Sequence, residues 1–226
     1  MFEILKEKNL ISNEKQEEKL FNFLNLLKEW NNKFNLTSIK EEKDIEIKHF
    51  EDCLNGAFLF PKNASVVEIG SGGGFPSIPL MIIREDLKFT LVESVGKKCE
   101  FLKFVIDKLS LNAVVLNKRA EDVGKSELRE SFDVVTARAV ASLNTLCEYT
   151  LPLIKKGGLF IAYKSVNNEK LGARRAIEIL GGKNKEEYRY SLSNNLGERV
   201  IFVIEKIKNT PPQYPRGNGK ERSKPL

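Results

Sequence analysis

Val66 to Pro76 reads Val-Val-Glu-Ile-Gly-Ser-Gly-Gly-Gly-Phe-Pro: an apolar run carrying an acid, then four glycines in five residues, then a proline that opens a helical pattern. A strand ending in such a turn leaves bare backbone for a ligand to lie against, because no Cβ stands in the way. The helix that follows aims its free N–H groups at the same place. A second apolar run, Phe89 to Val92, ends in Glu93. In a strand–helix–strand unit this spacing puts Glu93 at the tip of the neighbouring strand, within reach of both ribose hydroxyls of a nucleoside. The turn, formed by Gly70, Gly72 and Gly74 with Gly73, predicts a nucleoside-containing cofactor. The plainer alternative is a glycine-rich turn with no ligand, which leaves the two flanking acids unexplained.

The details select among such cofactors. A phosphate-binding loop needs Gly-Lys-Ser/Thr, and this turn has none. Gly72-x-Gly74-x-x-Ser77 comes close to the dinucleotide fingerprint, but Glu68 would then set its charge against a pyrophosphate. Glu68 suits the ammonium of a methionine moiety better, and the chain lacks room for a separate substrate domain. S-adenosylmethionine satisfies both acids, with Glu68 at the amino-acid end and Glu93 on the ribose.

With 226 residues, 41% of them hydrophobic, the chain can bury one full core. Its apolar runs are too short to span a membrane, and its first residues carry no signal-peptide pattern. Cys53, Cys99 and Cys147 lie far apart and read as buried thiols of a reducing, cytoplasmic compartment. The single histidine, His49, excludes a histidine-rich metal site, and no Gly-x-Ser-x-Gly elbow occurs. No metal and no membrane are expected, and the protein reads as a monomer. Of the net charge of +6, five units fall between Lys206 and Leu226, a segment with four prolines and two glycines. That tail is expected to form no regular element. It reads either as a phosphate-backbone arm or as a solvated end, with a third alternative in which Tyr214-Pro215-Arg216 packs back and orders the site.

Leu20, Phe23, Leu24, Leu27, Trp30 and Phe34 recur at helical spacing and predict a helix over 13–35, capped by Asn13 with Gln16 in capping-box position. A second helix is expected over 41–58. Beyond Pro61, strands are expected near 64–69, 88–92, 113–117, 132–137, 158–163, 185–190 and 199–205, and helices near 76–84, 96–109, 143–154 and 168–180. This alternation predicts an α/β fold with a mostly parallel, Rossmann-like sheet of seven strands, antiparallel at one end. The organisation is a helical extension over 1–60, a catalytic domain over 61–207 and a basic tail over 208–226. Ligands of open sheets bind at the carboxyl ends of the strands. There Glu121 either reaches an adenine amino group or merely favours a helix N-terminus. Arg138 ends an apolar strand and needs a partner or a ligand. Lys164 either contacts phosphate or snorkels, and His49 is either structural or in contact with substrate.

Several motifs together resemble one family: Trp30-x-x-x-Phe34-Asn35-Leu36-Thr37, His49-Phe50-x-Asp52, the glycine turn with Phe75-Pro76, and Ser94-x-Gly96-Lys97-Lys98-x-x-Phe101-Leu102. Arg119-Ala120-Glu121, Arg138-Ala139, Gly197-Glu198-Arg199, Tyr214-Pro215-Arg216 and Lys224-Pro225-Leu226 complete the set. In this order they are similar to the glucose-inhibited division protein B family, bacterial methyltransferases acting on N7 of a guanine in 16S ribosomal RNA. The resemblance implies a seven-stranded methyltransferase fold and S-adenosylmethionine as donor. It implies cofactor contacts at Gly70, Phe75, Ala120, Glu121 and Arg138, and RNA, free or in the small ribosomal subunit, as partner. RNA contacts are expected from Lys164, Arg199, Arg216, Lys220, Arg222 and Lys224. The chain departs from the family pattern at Ser77, at Ser165 and between Arg216 and Lys224.

Guanine N7 carries an in-plane lone pair and no proton, so it needs no general base. The protein has to align it with the methyl group and exclude water, which agrees with the lack of an obvious acid–base pair. Arg138 is expected to organise cofactor and base without carrying a proton. Two other readings differ in class. A small-molecule methyltransferase would have no use for the basic tail, and a non-catalytic RNA-binding assembly factor would not bind the cofactor.

Overall fold

The computed structural model describes residues 1–166 and 169–226. Among them the sheet comprises β1 (Ser65–Ile69), β2 (Lys88–Glu93), β3 (Ala113–Asn117), β4 (Phe132–Arg138), β5 (Ile154–Ser165), β6 (Gly182–Ser191) and β7 (Glu198–Lys206). Its order is β3-β2-β1-β4-β5-β7-β6. β7 runs antiparallel to both β5 and β6, and all other pairings are parallel. Connections from β1 run outward to β2 and β3, and β4 then pairs on the other side of β1. That reversal is the switch point at which open α/β sheets bind ligands.

Period-two alternation along the strands builds two cores. Val66, Leu91, Val134, Ile161 and Ile201 face a cluster with the N-terminal helices, α5 (Ser77–Ile83) and α6 (Gly96–Lys108). Val67, Val92, Val135, Phe160 and Phe202 face the other, with α7 (Ala120–Val123), α8 (Leu143–Thr150) and α9 (Glu169–Ile179). Of the helix expected over 168–180, residue 168 lies outside the described residues.

The N-terminal extension comprises α1 (Glu3–Glu7), α2 (Glu14–Asn31), α3 (Glu42–Ile45) and α4 (Asp52–Leu54). Gln16 N–H donates to Asn13 Oδ1 at 3.0 Å, and Gln16 Oε1 reaches back to Ser12 N–H at 2.8 Å. The capping box therefore forms with its return bond one residue earlier than the usual pattern. Leu20, Phe23, Leu24 and Leu27 of α2 share the first core with Phe75 and Phe101. The single helix expected over 41–58 is broken. Glu46–Glu51 form a π-helical segment between α3 and α4, the kind of local unwinding found often at functional sites. Helix α8 stops at Thr150 because Pro152, in the 3₁₀ turn Leu151–Leu153, has no N–H to continue it.

The tail does not stay irregular. Lys220–Ser223 form a short helix, α10, and the segment before it packs against α8. Arg129 donates to the carbonyls of Thr210 and Tyr214 at 2.8 and 2.7 Å, tying the proline-rich stretch into turns that need no ladder of their own.

Candidate functional site

A cavity of about 670 Å³ opens at the carboxyl ends of β1, β2 and β3. Gly70, Glu93, Ala120, Glu121, Val140 and Tyr149 line it from the sheet side, and Gly217–Gly219 with Arg222 line it from the tail. Gly70 has φ +71°, and a Cβ there would meet Val140 Cγ2 at 2.6 Å, so both conformation and space require glycine. Gly74 is held likewise at φ +86°, against Ile78. At Gly72, φ is +52° but nothing lies closer than 3.7 Å, so conformation alone demands glycine. Glu93 fixes the turn: its Oε2 accepts from Gly72 N–H at 2.9 Å and its Oε1 from Val95 N–H at 2.8 Å. Each carboxylate oxygen keeps a second lone-pair direction for a donor in the cavity.

Beneath the turn, Glu68 is fully buried. Ser77 Oγ donates to its Oε2, while Oε1 has no partner among the described residues. Burial pushes its carboxyl up to about 7. Such a group favours an arriving cation.

Arg138, at the end of β4, is the hub of a buried network. Its Nη1 donates to Asp52 Oδ2 at 2.5 Å and to the Lys48 carbonyl at 2.9 Å. Its Nη2 donates to His49 Nδ1 at 2.5 Å, and its guanidinium lies 5.5 Å from the centre of the Phe75 ring. The His49 and Phe75 rings stack at 4.3 Å. Burial, with the nearby Arg138 charge, lowers the His49 pKa to about 3, so its ring is neutral. The Tyr190 hydroxyl donates to Asp52 Oδ1 at 2.7 Å, extending the network to the antiparallel edge of the sheet. The π-helical segment supplies both Lys48 and His49 to this hub.

The tail is held by an ion pair whose acid is buried and whose arginine is half-buried. Arg216 Nε and Nη2 reach the two oxygens of Glu148 at 2.8 and 2.7 Å, a bidentate geometry, and Glu148 is fully buried. Glu221, also fully buried, accepts from Gly217 N–H, and its carbonyl takes the Thr145 hydroxyl at 2.9 Å. The Arg222 and Tyr149 side chains both line the cavity wall.

The family described as rRNA small subunit methyltransferase G (GidB) matches residues 16–195 of this chain. Ribosomal RNA small subunit methyltransferase G of Staphylococcus aureus strains JH9 and JH1 is 45% identical over 229 residues, covering 99% of this chain and 96% of each relative. The chain belongs to the rRNA small subunit methyltransferase G family. Solved structures with the same fold include cofactor-bound Rv0187 from MTB, at TM-score 0.58 and 17% identity, covering 85% of this chain and 91% of that one. M. jannaschii TYW2 in complex with AdoMet follows at TM-score 0.57 and 17% identity, covering 75% and 80%.

Within this member of the methyltransferase G family, the residues expected from sequence separate into groups. Gly70, Glu93, Ala120, Glu121 and Arg222 meet around the cavity. Gly72 and Gly74 shape its turn, while Glu68, Phe75 and Arg138 lie behind it in the buried network. Lys164 donates to the Ala141 carbonyl at 2.7 Å, and Arg199 lies 3.7 Å from Asp52. Arg216 is engaged by Glu148, whereas Lys220, Arg222 and Lys224 are exposed. The expectation of an extended basic arm is corrected here: the tail is a wall of the cavity, because Glu148 and Glu221 give its backbone and Arg216 fixed partners. Asp52, Thr37, Glu148, Tyr149 and Tyr190 join these groups without a role expected from the sequence. Two signals were present: Glu148 interrupts an apolar helix, and Glu221 is the lone acid in the basic tail.

Proposed function

We propose that the protein transfers the methyl group of S-adenosylmethionine to N7 of a guanine in 16S ribosomal RNA. The observation that carries this reading is Glu93, which holds the glycine turn through Gly72 while lining a cavity shared with Gly70, Ala120 and Glu121. These residues fit the cofactor. Gly70 offers a bare backbone cradle that a Cβ would fill, Glu93 accepts ribose hydroxyls, and Ala120 and Glu121 bound the adenine end. Glu68 is poised for the methionine ammonium, with its unpartnered oxygen and raised affinity for protons. S-adenosylmethionine supplies an electrophilic methyl on a sulfonium.

The protein's own part is positioning. Guanine N7 attacks with a lone pair that carries no proton, so no residue has to remove one. Phe75 and Arg138 form the rigid floor at the methionine end, and the Asp52 and His49 contacts keep Arg138 from swinging into solvent. The buried network excludes water from that floor. N7 is shielded in a stacked A-form helix, so the acceptor is a splayed or loop nucleotide. Exposed Lys220, Arg222 and Lys224, of which Arg222 lines the cavity, are the tail's cations for RNA phosphates. The enzyme works as a cytoplasmic monomer on rRNA or the small subunit. None of its described helices is long and apolar enough to cross a membrane.

The test is to incubate the protein with methyl-labelled cofactor and unmodified 16S RNA, free and in subunits, and map the label. Methyl on N7 of one guanine is expected. Binding of NAD in place of S-adenosylmethionine would refute the reading.

A further inference from the structure

A second cavity, of about 760 Å³, is walled by the end of α2 and the loop after it, with Lys28, Asn31, Leu36, Thr37 and Lys40 among its residues. It shares none of its residues with the cofactor cavity. The glycine turn lies between the two. Gly70 lines the first, and Gly73 backs onto Leu36 O of the second, 3.5 Å from where its Cβ would stand. No carboxylate lines the second cavity, whereas four others on the molecule each include at least one among the described residues. Of its two lysines, Lys28 is met by Glu42, which stands outside the wall. The ammonium of Lys40 is exposed and has no partner among the described residues.

Two further groups of the wall can only donate. Asn31 Oδ1 accepts from Leu36 N–H and Thr37 N–H at 2.8 and 2.9 Å. Its lone pairs are thereby filled, and its Nδ2 hydrogens are left without an acceptor among the described residues. At Thr37 the direction is set from Arg138. A guanidinium only donates, so Arg138 Nη2 donates to His49 Nδ1 and the neutral ring carries its proton on Nε2. Nε2–H then donates to Thr37 Oγ1 at 2.8 Å, and Ile39 N–H donates to the same oxygen at 3.1 Å. Both lone pairs of the hydroxyl are occupied, and its proton too lacks an acceptor among the described residues. The remaining polar side chains of the wall are amides and a hydroxyl, able to turn a donor inward.

Donors without acceptors, and a cation without a carboxylate, call for an anion that brings lone pairs and no proton of its own. A phosphodiester is such a group, and charge-assisted bonds to its oxygens are the strong ones. We propose that the second cavity holds a phosphodiester of the RNA substrate, at a nucleotide other than the one that is methylated. This deepens the reading under Proposed function and rests on it for the source of the anion. The cavity has no wall in common with the cofactor cavity, so its task is to hold RNA and not to take part in the transfer. Arg222 offers a cation at the first cavity and Lys40 one at the second. The RNA backbone is then gripped on both sides of the glycine turn, which fixes its register without reading its sequence.

The experiment titrates the full-length protein with unmodified 16S RNA over a range of salt concentrations, with calorimetric binding of S-adenosylmethionine alongside. Lys40→Gln should lower the slope of log affinity against log salt by about 0.7–0.9, the loss of one phosphate contact, and Lys40→Glu should weaken binding further. Both variants should raise KM for RNA while kcat and cofactor affinity stay at the wild-type values. In isotope-labelled protein, the Asn31 side-chain amide resonances should shift when RNA is added. Wild-type slope and KM in both Lys40 variants overturn the proposal, and so do Asn31 resonances that ignore RNA. Inorganic phosphate is the control: if it saturates the same shifts at the concentrations where RNA does, the site takes a free anion and its assignment to RNA falls. RNA binding that depends on Lys40 in a protein that transfers no methyl group would overturn the enzymatic reading and leave this proposal standing. Methyl transfer with no such dependence overturns this proposal alone.

Discussion

Replacing Glu68 by glutamine removes a buried charge while keeping the side-chain shape and the acceptor for Ser77 Oγ. In the folded protein without cofactor, burial raises the Glu68 pKa from its ordinary 4.5 to about 7. A raised pKa means that the folded state holds this proton more tightly than the unfolded chain does. The resulting stability is complete below pH 4.5 and is lost as pH climbs to about 7. A gap of 4.5 to about 7, at ~1.36 kcal/mol per unit, amounts to about 3 kcal/mol. Glutamine is neutral throughout, so Glu68→Gln should match the wild type in acid and exceed it by about 3 kcal/mol near pH 8. In urea unfolding that is a midpoint difference of about 1 M or more, absent at low pH. Calorimetric titration supplies the functional half. The variant should bind S-adenosylmethionine more weakly at pH 8 despite its greater stability, because the ammonium has lost its counter-charge. Parallel pH profiles for the two proteins would refute the reasoning. So would a variant that binds the cofactor as tightly as the wild type.

Four further outcomes follow from the geometry and the chemistry. Glu148→Gln should loosen Arg216 and lower both cofactor affinity and melting temperature, since it takes the counter-charge from a half-buried guanidinium. Truncation after Pro212 should do the same, and if Lys220, Arg222 and Lys224 also meet RNA, the salt dependence of RNA binding should flatten by about 0.7–0.9 per lost phosphate contact; truncation that leaves cofactor affinity intact would remove the tail from the site. Gly72→Val forces a β-branched residue into φ +52°, so cofactor binding measured by calorimetry should be lost while circular dichroism stays native. The methylation rate at saturating cofactor should stay nearly flat from neutral to mildly alkaline pH; a steep rise governed by one ionisation would point to an amino or hydroxyl acceptor in place of N7.

What was legible in the sequence was what depends on neighbours along the chain. The β1 turn, the acid ending β2 and the alternation of strands with helices are local patterns, and β3 falls over the very residues that its apolar run marks. β5 begins at Ile154, earlier than its apolar run suggests, because Lys155, Lys156 and Gly157 are too polar to read as strand. They are carried as an irregularity between the Phe132–Ile154 and Val134–Leu159 pairs with β4. The π-helical segment has no local signature at all, since its register is set by what Lys48 and His49 must reach on β4. The tail shows the same limit most clearly. Its prolines and glycines correctly forbid a long regular element, but whether such a segment floats or docks is decided elsewhere, by Glu148 on α8. Arg138 was legible as an arginine in need of a partner, yet its partner Asp52 lies far back in the chain. Both ends of the chain therefore close on the same strand tips. The N-terminal helices fix Arg138 and Thr37 on one side of the glycine turn, and the C-terminal segment walls the cavity on the other. A charge pattern can suggest that a segment is functional, but the paired carboxylate at Glu148 is what decides that the tail docks.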